Sequence, residues 1–154
     1  DYNHTLKEGD MSFSWSIDGE NLAAMVTGPT TGWVSVGFNP TSRMKDANII
    51  IGYVKNGKVK IIDEFGTSPF QHKPDSKIGG KDDVTIIGGK EENNSTTIEF
   101  SIPLNSGDVK DGIIEPGTDT IVILAYGPSD KDSFKLKHKK AYTRAVNLTT
   151  GAVN

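Results

Sequence analysis

The chain has no cysteine. That absence excludes disulfides, thiolate zinc sites, iron–sulfur clusters and thiol catalysis. It also excludes blue copper, which needs a Cys ligand, and c-type haem, which is attached through Cys-x-x-Cys-His. No apolar run approaches the ~20 residues with which a helix crosses a bilayer, and no stretch carries a sustained apolar stripe at helical spacing. Basic residues are not in excess: 17 Lys and Arg stand against 20 Asp and Glu. Neither a nucleic-acid footprint nor a basic membrane-surface helix is therefore implied. The patterns G-x-S-x-G, G-x-G-x-x-G and H-E-x-x-H and the P-loop are all missing, which disfavours hydrolase chemistry. The acidic pairs Asp82-Asp83 and Glu91-Glu92 fall in turn-rich stretches and read as solvated.

What is present fits one soluble domain spanning residues 1–154. The chain has 154 residues, 24% of them charged, with 17 glycines and 7 prolines, which is long enough for one core and rich in turns. It opens at Asp1 rather than Met, so a processed or trimmed piece of a longer protein is expected. Asn-x-Ser/Thr sequons at Asn3, Asn93, Asn94 and Asn147 suit a secreted surface.

The apolar periodicity is that of strands. In "SFSWSID" Phe13, Trp15 and Ile17 alternate with polar residues. Val34, Val36 and Phe38 do so in "GWVSVGF", and Ile98, Phe100, Ile102 and Leu104 in "TTIEFSIPL". Each predicts a half-buried antiparallel strand. "NIIIGYVKNGKVKIIDEF" reads as two strands joined at Asn56-Gly57, the dipeptide suited to a tight hairpin turn. "TDTIVILAYG" is continuously apolar and predicts a central strand covered on both faces. Turns are expected at "DGEN", "GPTTG", "GGKEENNS" and "EPGTD", a short helical turn in "NSGDVKDG", and a long loop over 66–81. Together these predict an all-β fold, an antiparallel β-sandwich of two sheets.

Few residues can carry chemistry, since there are three histidines and three methionines. His4 lies near a terminus expected to fray. Met11 and Met25 sit within strands and read as packing residues, whereas Met44 stands in a polar loop between Arg43 and Lys45. If "DSFKLKHKKAYTRAVNL" is a strand, Phe134, Leu136, His138 and Tyr142 share a face opposite Lys135, Lys137 and Lys139. Such a histidine is either a core residue bonded to a backbone carbonyl or a metal ligand in an apolar slot. A loop Met likewise is either a gap filler or, paired with a histidine, an axial ligand of haem iron. Periodicity does not choose between them.

Three stretches in order, "TTGWVSVGFNPTSRMKDANIIIGYVKNGKVKIIDEFG", "HKPDSKIGGKDDVTIIGGKEENNSTTIEFSIPLNSGDVKDGIIEPG" and "TIVILAYG", followed by the late His138, resemble the DOMON family. The resemblance runs from about Trp15 to Leu148. It implies an immunoglobulin-like β-sandwich with a ligand slot at one end, and, as in the cytochrome domain of cellobiose dehydrogenase, non-covalent haem b held by one Met and one His. Carried onto this chain, the ligands are Met44 and His138, a loop from one sheet and a strand from the other. Arg43, Lys45, Lys137 or Lys139 would face the haem carboxylates. The sequence departs from the family's Met-x-x-Ala-Asp at Asn48, and "HKKAYTRAV" lacks the usual Arg-Gly after the histidine. His72 and Asp75 lie in a "HKPDSKIGG" motif similar to prokaryotic members, read either as loop caps or as closing the slot.

The expectation is an extracytoplasmic electron carrier, not itself an enzyme, that serves a redox partner protein or a membrane electron-transfer chain. The alternative is a module that binds a carbohydrate or another small ligand without haem, with Trp33, Tyr53 and Phe70 as stacking surfaces. A third is a structural docking domain of a larger membrane-anchored protein.

Overall fold

The computed structural model describes residues 2–39, 48–55, 57–68, 71–74, 84–104, 119–127 and 140–153. Among them are eleven strands: β1 (His4–Glu8), β2 (Met11–Asp18), β3 (Asn21–Gly28), β4 (Val34–Phe38), β5 (Asn48–Lys55), β6 (Lys58–Ser68), β7 (Gln71–Pro74), β8 (Thr85–Glu92), β9 (Ser95–Pro103), β10 (Asp119–Tyr126) and β11 (Lys140–Asn147). They form two antiparallel sheets, β1-β2-β3-β9-β8 and β11-β10-β4-β5-β6-β7. This is the β-sandwich expected from the alternation of apolar residues.

Period-2 side-chain placement builds the core. Phe13 and Trp15 of β2, Val26 of β3 and Phe100 of β9 face Val36 and Phe38 of β4, Ile50 of β5 and Leu124 of β10, all buried. Phe13 stacks on Trp15 at 4.9 Å between ring centroids and meets Phe38 of the other sheet edge-on at 6.0 Å. Trp15 Nε1 donates to the Leu148 carbonyl at 2.9 Å, so the largest core ring has its polar edge satisfied. At the β1–β2 turn Asp10 accepts bonds from Tyr126 at 3.1 Å and Tyr142 at 2.8 Å, which ties the sheets together along one side.

Several local expectations change. His4 belongs to β1, with its ring 5.4 Å from that of Trp15, rather than to a frayed end. "GGKEENNS" is not all turn: β8 runs through Glu92, and the reversal is confined to Asn93 and Asn94, both at positive φ. Part of 66–81 is paired strand, because β6 extends to Ser68 and meets β7. The backbone hydrogen bonds of an edge hairpin outweigh the loop-like composition there. The expected turn in "NSGDVKDG" lies outside the described residues. Among the described residues no helix is long and apolar enough to cross a membrane.

The N-terminal segment is held by Tyr2, whose hydroxyl donates to Glu99 Oε1 at 3.0 Å. Burial, then the bond to the Glu99 carboxylate, pushes its pKa from 10.0 up to about 12. The raised value favours the protonated phenol in the folded state, so this contribution is complete below about pH 10 and is lost as pH rises towards about 12. Tyr2→Phe is therefore expected to lower the urea midpoint at pH 8, with the gap to the parent protein closing between about pH 10 and 12. A gap that stays constant through that window would refute the assignment.

Candidate functional site

β4 and β5 are buried on both faces, although "GWVSVGF" was expected to have one solvent face. Val34 through Phe38 and Asn48 through Gly52 are all buried. The inward set packs on the five-stranded sheet. The outward set forms a separate cluster of Trp33, Ile49, Ile51 and Ala125, with Tyr53 and Ile62 packed against it. Strand register lays this outer face out in rows. Ala141, Ala125, Ser35, Ile51 and Ile62 cross it in one row, and Thr143, Ile123, Gly37 and Ile49 in the next.

The centre of that face is a floor of small side chains, Ser35, Gly37 and Ala125, with the larger Ile49, Ile51 and Trp33 beside it. A flat apolar group can lie close to the backbone there, as it could not over a row of branched residues.

Both ends of the floor are built as anchored exits. At one end Asn39 adopts φ +52, a left-handed conformation that Asn tolerates better than most residues. Its N–H donates to the Ile121 carbonyl at 2.8 Å, and its Oδ1 accepts from Ile121 N–H at 3.2 Å. The chain leaves here into residues 40–47, which include Arg43, Met44 and Lys45. At the other end Gly127 N–H donates to the Trp33 carbonyl at 2.8 Å, and the Gly127 carbonyl accepts from Thr30 Oγ1 at 2.7 Å. Thr30 is itself buried, and its carbonyl accepts from Thr96 Oγ1 at 2.7 Å. From this brace the chain enters residues 128–139, which include Lys137, His138 and Lys139.

Met44, His138, Arg43, Lys45, Lys137 and Lys139 themselves lie outside the described residues, as do Asp75 and Phe70. Topology still locates their roots. β4 and β10 are antiparallel neighbours, so the two exits stand at opposite ends of one sheet. From Ile121 to Gly127 at ~3.3 Å per residue, they are roughly 20 Å apart. The expectation that one arm comes from each sheet is replaced, because β4, β5, β10 and β11 all belong to the six-stranded sheet.

Asn48, the departure from the family pattern, points inward. It pairs with Phe38 and shares the face of Ile50. It is buried, and its Oδ1 has no hydrogen-bond partner. The substitution therefore alters the core side of β5 and leaves the outer floor unchanged. Of the residues considered as stacking surfaces, Trp33 is only 3% exposed, so its ring offers no open platform, and Tyr53 is half-buried. Sequence reasoning missed the floor itself. The available signal was the run "NIII" beside Ser35 and Gly37: consecutive apolar residues mean two covered faces, and small residues opposite them mean close approach.

The profile of the DOMON domain family matches residues 7–127. Among curated proteins, mouse "DBH-like monooxygenase protein 1" is 32% identical over 123 residues, covering 80% of this chain and 19% of the relative. Human "Putative DBH-like monooxygenase protein 2" is 27% identical over 141 residues, covering 90% of this chain and 26% of the relative. The chain thus spans about a fifth to a quarter of the length of these relatives. Among solved structures, the cytochrome b domain of pyranose dehydrogenase from Coprinopsis cinerea superposes with a TM-score of 0.69 at 14% identity, over 92% of this chain and 78% of that one. The cytochrome domain of cellobiose dehydrogenase from Myriococcum thermophilum gives 0.61 at 11% identity, over 97% and 83%. At these identities the structural likeness is one of fold.

Proposed function

Because the chain belongs to the DOMON domain family, we propose that it is a haem b-binding electron-transfer module, with Met44 and His138 as axial ligands. The observation that carries this reading is the small-residue outer floor, rooted at each end in a segment that carries one of the two ligands. A flat, largely apolar macrocycle fits a floor of Ser35, Gly37 and Ala125 with Ile49 and Ile51 beside it. Met44 and His138 would hold the iron of such a group through a thioether and an imidazole. Haem, when bound, supplies a one-electron iron couple.

The chain's own residues do the rest. Ile49, Ile51 and Ala125 exclude water, which favours the less charged reduced state, and the Met44 thioether favours it further. Arg43, Lys45 and Lys137 compensate the carboxylates at the haem edge. Met44 and His138 together would hold the iron without leaving a place for substrate, so residues 1–154 would act as one carrier module and not as an enzyme. We place it outside the cytoplasm, where it would pass electrons to a larger redox protein or a membrane chain of which it is a part. The names of the curated relatives suit a place within a redox enzyme.

The test is the absorption spectrum of protein purified with hemin supplied. A sharp Soret band, with resolved α and β bands on dithionite reduction, is expected. Protein that stays colourless and takes up no added hemin would overturn the reading.

A further inference from the structure

The chain has two tryptophans, both deeply buried and differently satisfied. Trp15 Nε1 donates to Leu148. Trp33 Nε1 has no hydrogen-bond partner. Buried donors in native proteins are nearly always paired, because an unmade bond leaves the cost of stripping water from the N–H uncompensated. An indole N–H is a donor only, so what is missing is an acceptor.

Among the described residues the other members of the cluster supply none. Ile49, Ile51 and Ala125, the other members of the cluster, have apolar side chains, and Ser35 Oγ donates to the Ala125 carbonyl at 3.4 Å. Nor is the indole misplaced by slack packing. Gly32 N–H donates to Thr30 Oγ1 at 2.9 Å, and Thr30 braces Gly127. The Trp33 ring lies so close over Gly127 that a Cβ there would overlap Nε1. A donor is thus held firmly at one end of the outer floor, at the root of the segment that carries His138.

Resting on the haem reading, we infer that Trp33 Nε1 is a ligand-binding donor that recognises a carboxylate at the haem edge. In iron-bound haem the ring nitrogens are committed to the metal, which leaves the two carboxylates as its strong acceptors. A neutral donor bonded to an ionised acceptor makes the stronger class of hydrogen bond. Trp33 would then fix which edge of the macrocycle lies towards the 128–139 segment, a task that surrounding lysines, as rotatable point charges, perform poorly.

The test pairs a variant with a modified ligand. Hemin and hemin dimethyl ester, whose carboxylates are capped, are titrated into the parent protein and into Trp33→Phe, which keeps a ring and removes the donor. Trp33→Phe is expected to weaken hemin about tenfold and to leave the ester unchanged. In parallel, the two indole N–H resonances are followed as zinc protoporphyrin is added. The Trp33 signal should move downfield and its solvent exchange should slow, while that of Trp15 stays in place. Equal losses for hemin and ester would make Trp33 a packing residue and overturn the inference, as would an indole signal that does not move on binding. A parent protein that takes up neither ligand would instead overturn the haem reading, and the inference with it.

Discussion

In hemin-loaded protein, His138→Ala and Met44→Ala are each expected to abolish the sharp low-spin spectrum and to weaken hemin binding on the order of a hundredfold or more. Loss of a mere supporting residue around a metal costs about 10–100-fold, and these two would touch the iron itself. The effect should be large for each because the two arms are independent. Their roots, Asn39 and Gly127, are clamped at opposite ends of β4 and β10, so neither arm can stand in for the other. Met44→His should keep two axial ligands and lower the reduction potential, since the thioether is the ligand that favours reduced iron; spectroelectrochemical titration measures this. Arg43→Ala, Lys45→Ala and Lys137→Ala should leave the spectrum sharp and change affinity far less. A His138→Ala variant that keeps the parent spectrum would overturn the assignment of His138 as a ligand.

The second large effect belongs to the core. Trp15→Ala is expected to destabilise the protein by about 3–5 kcal/mol, the range for emptying a buried aromatic site. The ring is fully buried, stacks on Phe13 and donates to Leu148. Its loss opens a cavity and orphans the carbonyl that tethers the end of β11. Against a total stability of ~5–15 kcal/mol for a domain, that is enough to bring unfolding close to room temperature. Urea denaturation followed by far-UV circular dichroism measures it. A shift smaller than about 1 kcal/mol would mean that Trp15 is not the centre of the core.

Much of this was legible along the chain. Phe13, Trp15, Val36, Phe38, Ile98 and Phe100 are inward in the sandwich as their alternation predicts, because the side-chain period of a strand is a local property of the backbone. The hairpin at Gly57, with φ +75, follows from the same local chemistry. The outer floor was not legible in the same way. Ser35 and Gly37 look like a solvent face when read alone, and only their register against Ile49 and Ile51 of β5 and Ala125 of β10 makes them the floor of a buried cluster.

The pair of candidate ligands divides along the same line. Composition alone reduced the imidazole and thioether candidates to six residues, and the resemblance to the DOMON family pointed to Met44 after "GWVSVGF" and to His138 after "TIVILAYG". Where their arms depart from, and that Trp33 stands at the root of one of them with its N–H unmet, was decided only by the pairing of β4 with β10. Those contacts join residues more than eighty positions apart, and their geometry is set by the packing of two sheets, which no local stretch of sequence encodes.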